Sequence, residues 1–339
     1  MQRLNLLQTW LTDQFPGRSF EIHPTSTDAS FRRYFRITLA DGTPSLIVMD
    51  APPEQENCRP WIETATLFRS LGIHVPEVFS QSLPLGFLLI TDFGDTTYLK
   101  ILQNPNLSLH DAAHYYADAL GALAALQQAS HSGVLPDYTH AHLMRELMLF
   151  PEWYVAHHKK TTLSDEELNS LLACFEQIIQ VNLAEPRVFV HRDFHSRNLM
   201  LPPDGPRPGI IDFQDAVYGP MTYDLVSLFK DAYIRWDEEF TLDLLARYWE
   251  TARDLGLPVR ADFAEFHHDY EWMGIQRHMK ILGVFARLYY RDGKDAYLND
   301  IPLVLRYLRE ACLRYREMKP VLKLLDRLET TETAIGYTF

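Results

Sequence analysis

The order of apolar and polar positions divides the chain into a strand-rich first part and a helix-rich remainder. Residues 34–39 and 45–49 have the pattern of two strands joined at the Asp41-Gly42 turn, and residues 85–90 form a further apolar run typical of a buried strand. A helical spacing over residues 59–70 interrupts them. We therefore predict a small sheet with one inserted helix.

Helical periodicity dominates after the polar stretch at residues 91–95. Ser108 with Asp111, and Ser164 with Glu167, have the spacing of helix N-caps. Further helices are predicted at residues 223–233, 238–255, 261–291 and 301–328.

The polar stretch is the predicted domain boundary. It separates a β-rich N-lobe of residues 1–92 from a larger, mostly helical C-lobe of residues 93–339. The fold class is therefore α+β. The first fifteen residues have an amphipathic pattern and one basic side chain, which favours a first helix over a signal peptide.

The stretch from residue 188 to residue 215 has an unusual pattern. Its two apolar runs, residues 188–190 and 209–211, each end on polar residues that an ordinary buried strand does not favour. A turn rich in proline, at residues 202–206, lies between them. We predict that the two runs form a hairpin with polar residues at its rim.

These polar residues are the types that phosphoryl transfer requires. Asp193 follows the first run, Asn198 lies five residues further along, and Asp212 follows the second run. In kinases one aspartate orients or deprotonates the attacking hydroxyl, while a second aspartate and an asparagine hold magnesium on the nucleotide phosphates. His191 is expected to brace the loop by hydrogen bonding, and Arg192 could be a surface charge.

Composition narrows the range of partners. The 339 residues are 47% hydrophobic and 23% charged, with a net charge of −13, which argues against nonspecific binding to nucleic acid or anionic membrane. The three cysteines, Cys58, Cys174 and Cys312, are widely spaced and odd in number, which is typical of buried thiols in a reducing cytoplasm. We expect a cytoplasmic protein with a small-molecule substrate and no obligate protein partner.

A turn of small residues, Asp28-Ala29-Ser30, lies between the first two predicted strands. Backbone N–H groups there can approach a phosphate, and Ser30 can add a hydroxyl donor. The alternative is an ordinary polar hairpin turn. The position of residues 28–30 in the N-lobe of a kinase-like chain, the lobe expected to bind the nucleotide, favours nucleotide contact.

Together these motifs resemble the aminoglycoside phosphotransferase and choline kinase group, relatives of the protein kinases. Within it, the chain is similar to bacterial N-acetylmuramate/N-acetylglucosamine anomeric sugar kinases over most of its length, most clearly at residues 28–36, 46–53, 191–200 and 212–220. The resemblance implies a protein-kinase-like bilobal fold, use of ATP and Mg²⁺, Asp193 as catalytic base, and Asn198 and Asp212 as magnesium ligands. It implies phosphorylation of the anomeric hydroxyl of an amino sugar in cell-wall recycling.

The resemblance also assigns a hinge and a brace. Asp224 would hold the catalytic loop from the following helix, unless it is a plain helix-face carboxylate. Adenine would be bound by the backbone of Leu89, Ile90, Thr91 and Asp92.

One feature of the group is missing, because residues 46–50 contain no lysine to grip the α- and β-phosphates. Arg32, Arg33 or Arg36 could supply that charge, or the metal could carry more of it. We favour Arg32 or Arg33. Without the lysine, Glu63 is expected to be a surface or structural carboxylate.

Substrate contacts are predicted at His195, Arg197, Asp215, Arg277 and Lys280. His195 and Arg197 could instead be loop-packing residues, and Arg277 and Lys280 could be solvated charges on one helix face. Two other functions stay open at this point. One is a kinase for another small alcohol, such as an aminoglycoside, an amino alcohol or homoserine. The other is a nucleotide-binding regulator without catalysis, against which the presence of the base and both metal ligands argues.

Overall fold

The chain forms two compact units in a computed structural model that describes residues 2–27 and 31–335. The first unit comprises Met1–Asn104, Ala117–Leu126 and Arg197–Asp215, and the second comprises Pro105–Tyr116, Gln127–Ser196 and Ala216–Phe339. The lobe boundary after residue 92 remains a prediction.

The first unit contains a five-stranded antiparallel sheet with the strand order β1-β2-β3-β5-β4. Its strands are β1 (Phe20–Thr27), β2 (Arg33–Leu39), β3 (Leu46–Asp50), β4 (Val78–Ser82) and β5 (Phe87–Thr91). Phe35 of β2 lies opposite Val48 of β3, which confirms the predicted hairpin at Asp41-Gly42. Helix α1 (Gln2–Gln14) is present as predicted and packs Leu7 and Leu11 against this sheet.

The same unit contains helices α2 (Arg59–Ser70) and α3 (Tyr98–Leu102). Glu63 on α2 is exposed, as expected for a carboxylate without a lysine partner on β3. Cys58, just before α2, is buried, as are the other two cysteines, and this confirms the predicted environment of the thiols.

The hairpin predicted between residues 188–190 and 209–211 is wrong. Strand β6 (Arg187–Val190) instead pairs antiparallel with β9 (Val217–Pro220), and β8 (Gly209–Ile210) pairs with β7 (Leu199–Met200). The reason is proximity along the chain, because the turn at residues 202–206 joins β7 directly to β8. Strand β6 therefore pairs with β9, which follows later in the sequence. Two short strand pairs therefore replace one hairpin.

The remaining elements are mainly helical. They are α4 (Leu109–Gln128), α5 (His140–Leu149), a π-helix (Phe150–His158), α6 (Asp165–Leu183), α7 (Tyr223–Phe229), α8 (Glu238–Asp254), α9 (Phe263–Tyr290), a 3₁₀-helix (Asp295–Asp300), α10 (Ile301–Arg314), a 3₁₀-turn (Arg316–Met318) and α11 (Lys319–Ile335). The capping box predicted at Ser164 and Glu167 begins α6. Both fold predictions, a small antiparallel sheet and a larger helical part, are confirmed.

Most residues of α9 are buried, and this helix packs against α5, α6, α7, α10 and the π-helix. The single helix predicted over residues 301–328 is wrong, since the chain breaks between α10 and α11. Pro320 explains the break, because proline has no backbone N–H to continue a helix from the preceding turn but fits the first turn of a new helix. No helix in the described ranges has the length and apolar character needed to cross a membrane.

Candidate active site

The loop after β6 is fixed by a carboxylate from the next helix. Asp224, in the first turn of α7, accepts hydrogen bonds from the backbone N–H groups of His191 at 2.7 Å and Arg192 at 2.9 Å. The backbone N–H of Asp193 donates to Nδ1 of His191 at 3.3 Å. Asp224 is fully buried. The predicted bracing roles of Asp224 and His191 are therefore confirmed, and Asp224 is not a plain helix-face carboxylate.

Asp193 carries a stabilised negative charge. Partial burial disfavours its carboxylate, but nearby cations outweigh this effect and hold the pKa of Asp193 at about 2, below its usual value. The basic groups that lower this pKa, in order of influence, are Lys280, His195, Arg277 and Arg192. At neutral pH Asp193 is therefore an ionised acceptor, which is the state in which it can take a hydrogen bond from a substrate hydroxyl.

Arg192 is held in an uncommon backbone conformation, with φ at +77°. Such a conformation costs about 1–2 kcal/mol for a residue other than glycine, so the surroundings must maintain it. Its guanidinium forms an ion pair with Glu146 of α5 and lies over the ring of Tyr138 at 5.6 Å. The hydroxyl of Ser227 donates to its carbonyl oxygen at 3.3 Å. Arg192 is thus a loop anchor and not the surface charge considered from the sequence.

Arg277 and Lys280 of α9 are not solvated charges. Arg277 is only 3% exposed, and its Nε donates to the Ser227 hydroxyl at 2.6 Å. Lys280 donates to the Tyr223 hydroxyl at 2.8 Å and pairs with Glu146 at 3.3 Å. Both cations influence Asp193. Their contact with a substrate remains a prediction, whereas their burial beside the catalytic loop excludes the solvated alternative.

The other three predicted substrate residues differ in exposure. His195 is half-buried and lies edge-on to the Tyr233 ring, with 5.4 Å between the ring centroids. Arg197 and Asp215 are exposed. Ser196, next to His195, is anchored because its backbone N–H donates to Asp231 at 3.0 Å. All three substrate assignments remain predictions.

The predicted magnesium ligands are adjacent in the first unit. Nδ2 of Asn198 donates to Oδ2 of Asp212 at 3.3 Å, and the backbone N–H of Ile211 donates to the Asn198 carbonyl at 3.1 Å. Nε2 of Gln214 donates to the other Asp212 oxygen at 2.9 Å. Asp212 has a φ of +66°, uncommon outside glycine. The β7-β8 turn thus brings the two side chains together.

These two residues fit a magnesium ion whose other ligands come from a nucleotide. Mg²⁺ prefers oxygen donors and is usually held by one or two carboxylates together with substrate phosphates. Asp212 supplies the carboxylate, and Asn198 supplies an amide oxygen. Within residues 2–27 and 31–335, no cluster of three or more His, Cys, Asp or Glu side chains offers a complete protein cage. The donor set therefore suits a nucleotide-bound magnesium.

The three candidate arginines of the first unit have different partners. Arg33 pairs with the buried Asp50, and Arg36 donates to both oxygens of Asp92, at 2.5 and 3.0 Å. Arg32 lies 3.4 Å from Glu56. Burial lowers the pKa of Arg32, but the nearby acidic groups, among them Asp212, raise it above the usual value overall.

The remaining nucleotide-binding predictions are not tested by these contacts. Asp28, Ala29 and Ser30 lie outside the described residues. Leu89, Ile90 and Thr91 form the end of β5, where Leu89 pairs with Val48 of β3. Asp92 follows the strand, and its carboxylate is engaged by Arg36 and Ser45.

Two anchoring residues were missed by the sequence analysis. Glu146 binds Arg192, and Asp231 binds Ser196. Both are single acidic residues within or beside helical segments and belong to no short motif. Only the three-dimensional structure places them against the catalytic loop.

A carboxylate-bearing loop braced from the next helix, in a protein with an antiparallel sheet and a helical part, defines a kinase-like phosphotransferase. The model of the phosphotransferase enzyme family matches residues 21–258, and the chain belongs to this family. It is 47% identical to an N-acetylmuramate/N-acetylglucosamine kinase of Neisseria meningitidis over 100% of both chains. A Pseudomonas aeruginosa protein of the same name is 46% identical over 91% of this chain and 88% of its own.

Solved structures support the same fold. A choline kinase from Streptococcus pneumoniae superposes with a TM-score of 0.61 at 13% identity, covering 91% of this chain and 98% of its own. An aminoglycoside phosphotransferase, solved with streptomycin and ATP, gives a TM-score of 0.59 at 16% identity, covering 89% and 95%. The resemblance stated from the sequence is thereby confirmed.

Proposed function

We propose that this chain is an ATP-dependent kinase that phosphorylates the anomeric hydroxyl of N-acetylmuramate, N-acetylglucosamine or both. The observation that carries the proposal is its 47% identity, along the full length of both chains, to a relative named for these two sugars. The relative that was solved with ATP supports the choice of nucleotide. We place the reaction in the cytoplasm, in cell-wall recycling, without an obligate protein partner.

In the proposed mechanism Asp193 accepts the proton of the attacking sugar hydroxyl. The low pKa of this carboxylate keeps it ionised, and Asp224 fixes the backbone before it. Positioning of this kind contributes much of the acceleration in phosphoryl transfer, which needs little covalent chemistry from the protein.

Asn198 and Asp212 would hold Mg²⁺, which when bound neutralises charge on the nucleotide phosphates. Arg32 or Arg33 would replace the missing lysine at those phosphates. The backbone of residues 89–92 would bind adenine, and residues 28–30 would approach the phosphates. For the sugar, we assign hydrogen bonds to His195, Arg197 and Asp215, and charge recognition to Arg277 and Lys280.

The test is an assay of the purified protein with ATP and magnesium on N-acetylmuramate, N-acetylglucosamine and glucosamine, with choline and an aminoglycoside as other alcohol acceptors. Phosphorus NMR distinguishes a sugar 1-phosphate from a 6-phosphate. The proposal predicts a 1-phosphate of at least one N-acetylated sugar. A 6-phosphate, or transfer only to choline or the aminoglycoside, would contradict it.

A further inference from the structure

Glu146 is the centre of a buried polar cluster in the second unit, and the proposed mechanism gives this carboxylate no role. Its side chain is 10% exposed. One carboxylate oxygen forms ion pairs with Arg192 and, at 3.3 Å, with Lys280. The other accepts hydrogen bonds from the Tyr138 hydroxyl and, at 3.0 Å, from Nε2 of Gln276. Four donors from three parts of the chain therefore converge on one carboxylate.

Glu146 is ionised within this cluster. Burial opposes its charge, but Lys280 and Arg192, together with the hydrogen bonds from Tyr138 and Gln276, hold the pKa of Glu146 at about 2. The positive charges of the two cations offset the cost of burying this negative charge. Removing it leaves the two cations without their counter-charge, which is costly in a buried site.

The same two cations also act on the catalytic carboxylate. Lys280 and Arg192 both attract the charge of Asp193, and Arg192 is its neighbour in sequence. Glu146 therefore acts on the loop through its ion pair with Arg192, the residue directly before Asp193, whose backbone has a φ of +77°. The same carboxylate pairs with Lys280 at 3.3 Å, so one anion fixes both cations.

We propose that Glu146 is a positioning residue for phosphoryl transfer, which binds Arg192 and Lys280 and thereby keeps the loop that carries Asp193 in place. The inference rests on the proposed function only in taking Asp193 as the base. It adds a role for α5, the helix that carries Glu146. It also makes Arg192 a loop anchor whose positive charge is balanced by Glu146.

Glu146→Gln is the direct test, because glutamine keeps the shape but loses the charge and turns an NH₂ group toward donors. We expect kcat to fall by about 10²-fold, the loss typical of a misplaced reacting group. KM for ATP should stay within about twofold, because the substitution alters the position of the Asp193 carboxylate and not the nucleotide contacts. Glu271→Gln is the matched control. Glu271 is also a buried carboxylate that pairs with two cations, Lys230 and Arg314, and its replacement should leave kcat nearly unchanged.

Glu146→Asp protects the test against a folding failure. Aspartate keeps the charge but is shorter, so we expect a folded protein with a smaller loss of kcat and the same KM for ATP. The proposal is overturned if either folded Glu146 variant keeps the kcat of the wild type, or if Glu271→Gln loses as much as Glu146→Gln.

Failure of the proposed function gives a different result. A wild-type protein that phosphorylates neither amino sugar contradicts the substrate assignment alone. The kcat of each Glu146 and Glu271 variant relative to the wild type is then measured on another accepted alcohol, or on the hydrolysis of ATP with water as the acceptor.

Discussion

The carboxylate of Asp224 accepts a hydrogen bond from the backbone N–H of Arg192 at 2.9 Å, and this bond ties the first turn of α7 to the residue before Asp193, the proposed base. Arg192 has a φ of +77°. The buried carboxylate of Asp224, whose two oxygens accept from backbone N–H groups, is thus part of the scaffold of this loop. Its ionisation should therefore affect stability.

Replacing Asp224 should change how stability depends on pH. Burial raises the pKa of Asp224 to about 7, from a usual value of 3.8. Between these values the folded chain holds a proton that the unfolded chain has released, so the stability contributed by this group is full below pH 4 and is lost as pH rises through 7. Asp224→Asn does not titrate. The Tm advantage of the wild type over this variant should therefore shrink from pH 5 to pH 8, and an advantage independent of pH would contradict the assignment.

Asp193→Asn should abolish most turnover without unfolding the protein. The loss of a positioned base typically costs about 10²–10⁴-fold in rate, whereas the isosteric amide preserves packing. We expect kcat to fall by that factor with KM for ATP near that of the wild type. Steady-state kinetics and a thermal melt on the same preparation provide the check. Near-full turnover in a folded variant would rule out the role of Asp193.

Elements with local signals were predictable from the sequence. The capping box at Ser164 and Glu167 supplies hydrogen bonds between neighbours in sequence, and it begins α6 as predicted. The bracing of the loop at residues 191–193 by Asp224 was also predictable, and the structure shows the two hydrogen bonds. These signals depend on few residues and little on the rest of the fold.

Features decided by distant contacts were not predictable in this way. β6 has four residues and β8 has two, so apolar character alone could not choose their partners. Glu146 meets Arg192 across 46 positions of the chain, and no motif marks it. Tertiary packing, not local preference, determines both.

Arg32→Ala should weaken ATP binding more than Arg33→Ala does. The Arg33 side chain is 46% exposed and pairs with Asp50. The Arg32 side chain is mostly buried, and the negative charge of Asp212 contributes to raising its pKa. Loss of a charge-assisted hydrogen bond costs about 1.5–3 kcal/mol, so we expect KM for ATP to rise by about tenfold or more in Arg32→Ala. Normal KM and turnover in both variants would show that neither arginine replaces the lysine.

Asp212→Ala should remove magnesium-dependent activity while leaving the fold. The side chain is half-buried, and its described contacts are to Asn198 and Gln214 in the same loop region. A titration of activity with MgCl₂ should show no recovery at high metal concentration, and the shift of Tm caused by ATP with magnesium should disappear. Gln214→Ala is the control, because it removes a neighbour of Asp212 and leaves the oxygen donors. A wild-type magnesium response in Asp212→Ala would exclude Asp212 as a ligand.

Gly283→Ala should destabilise the packing of α9 against the end of α5. A Cβ at this position would lie 2.4 Å from the backbone carbon and oxygen of Leu149, too close for any side-chain adjustment to relieve. Alanine gains about 1 kcal/mol over glycine within a helix, but overpacking against backbone costs about 1–3 kcal/mol, so the net effect should be a lower Tm.

Gly274→Ala is the matched control on the same helix. The nearest atom to its added Cβ would be Nζ of Lys230 at 3.5 Å, an ordinary contact, so the helix preference for alanine should dominate. Thermal unfolding should therefore give opposite signs, with Gly283→Ala below the wild type and Gly274→Ala at or above it. A Tm for Gly283→Ala equal to that of Gly274→Ala would mean that α5 and α9 approach less closely than the structure shows.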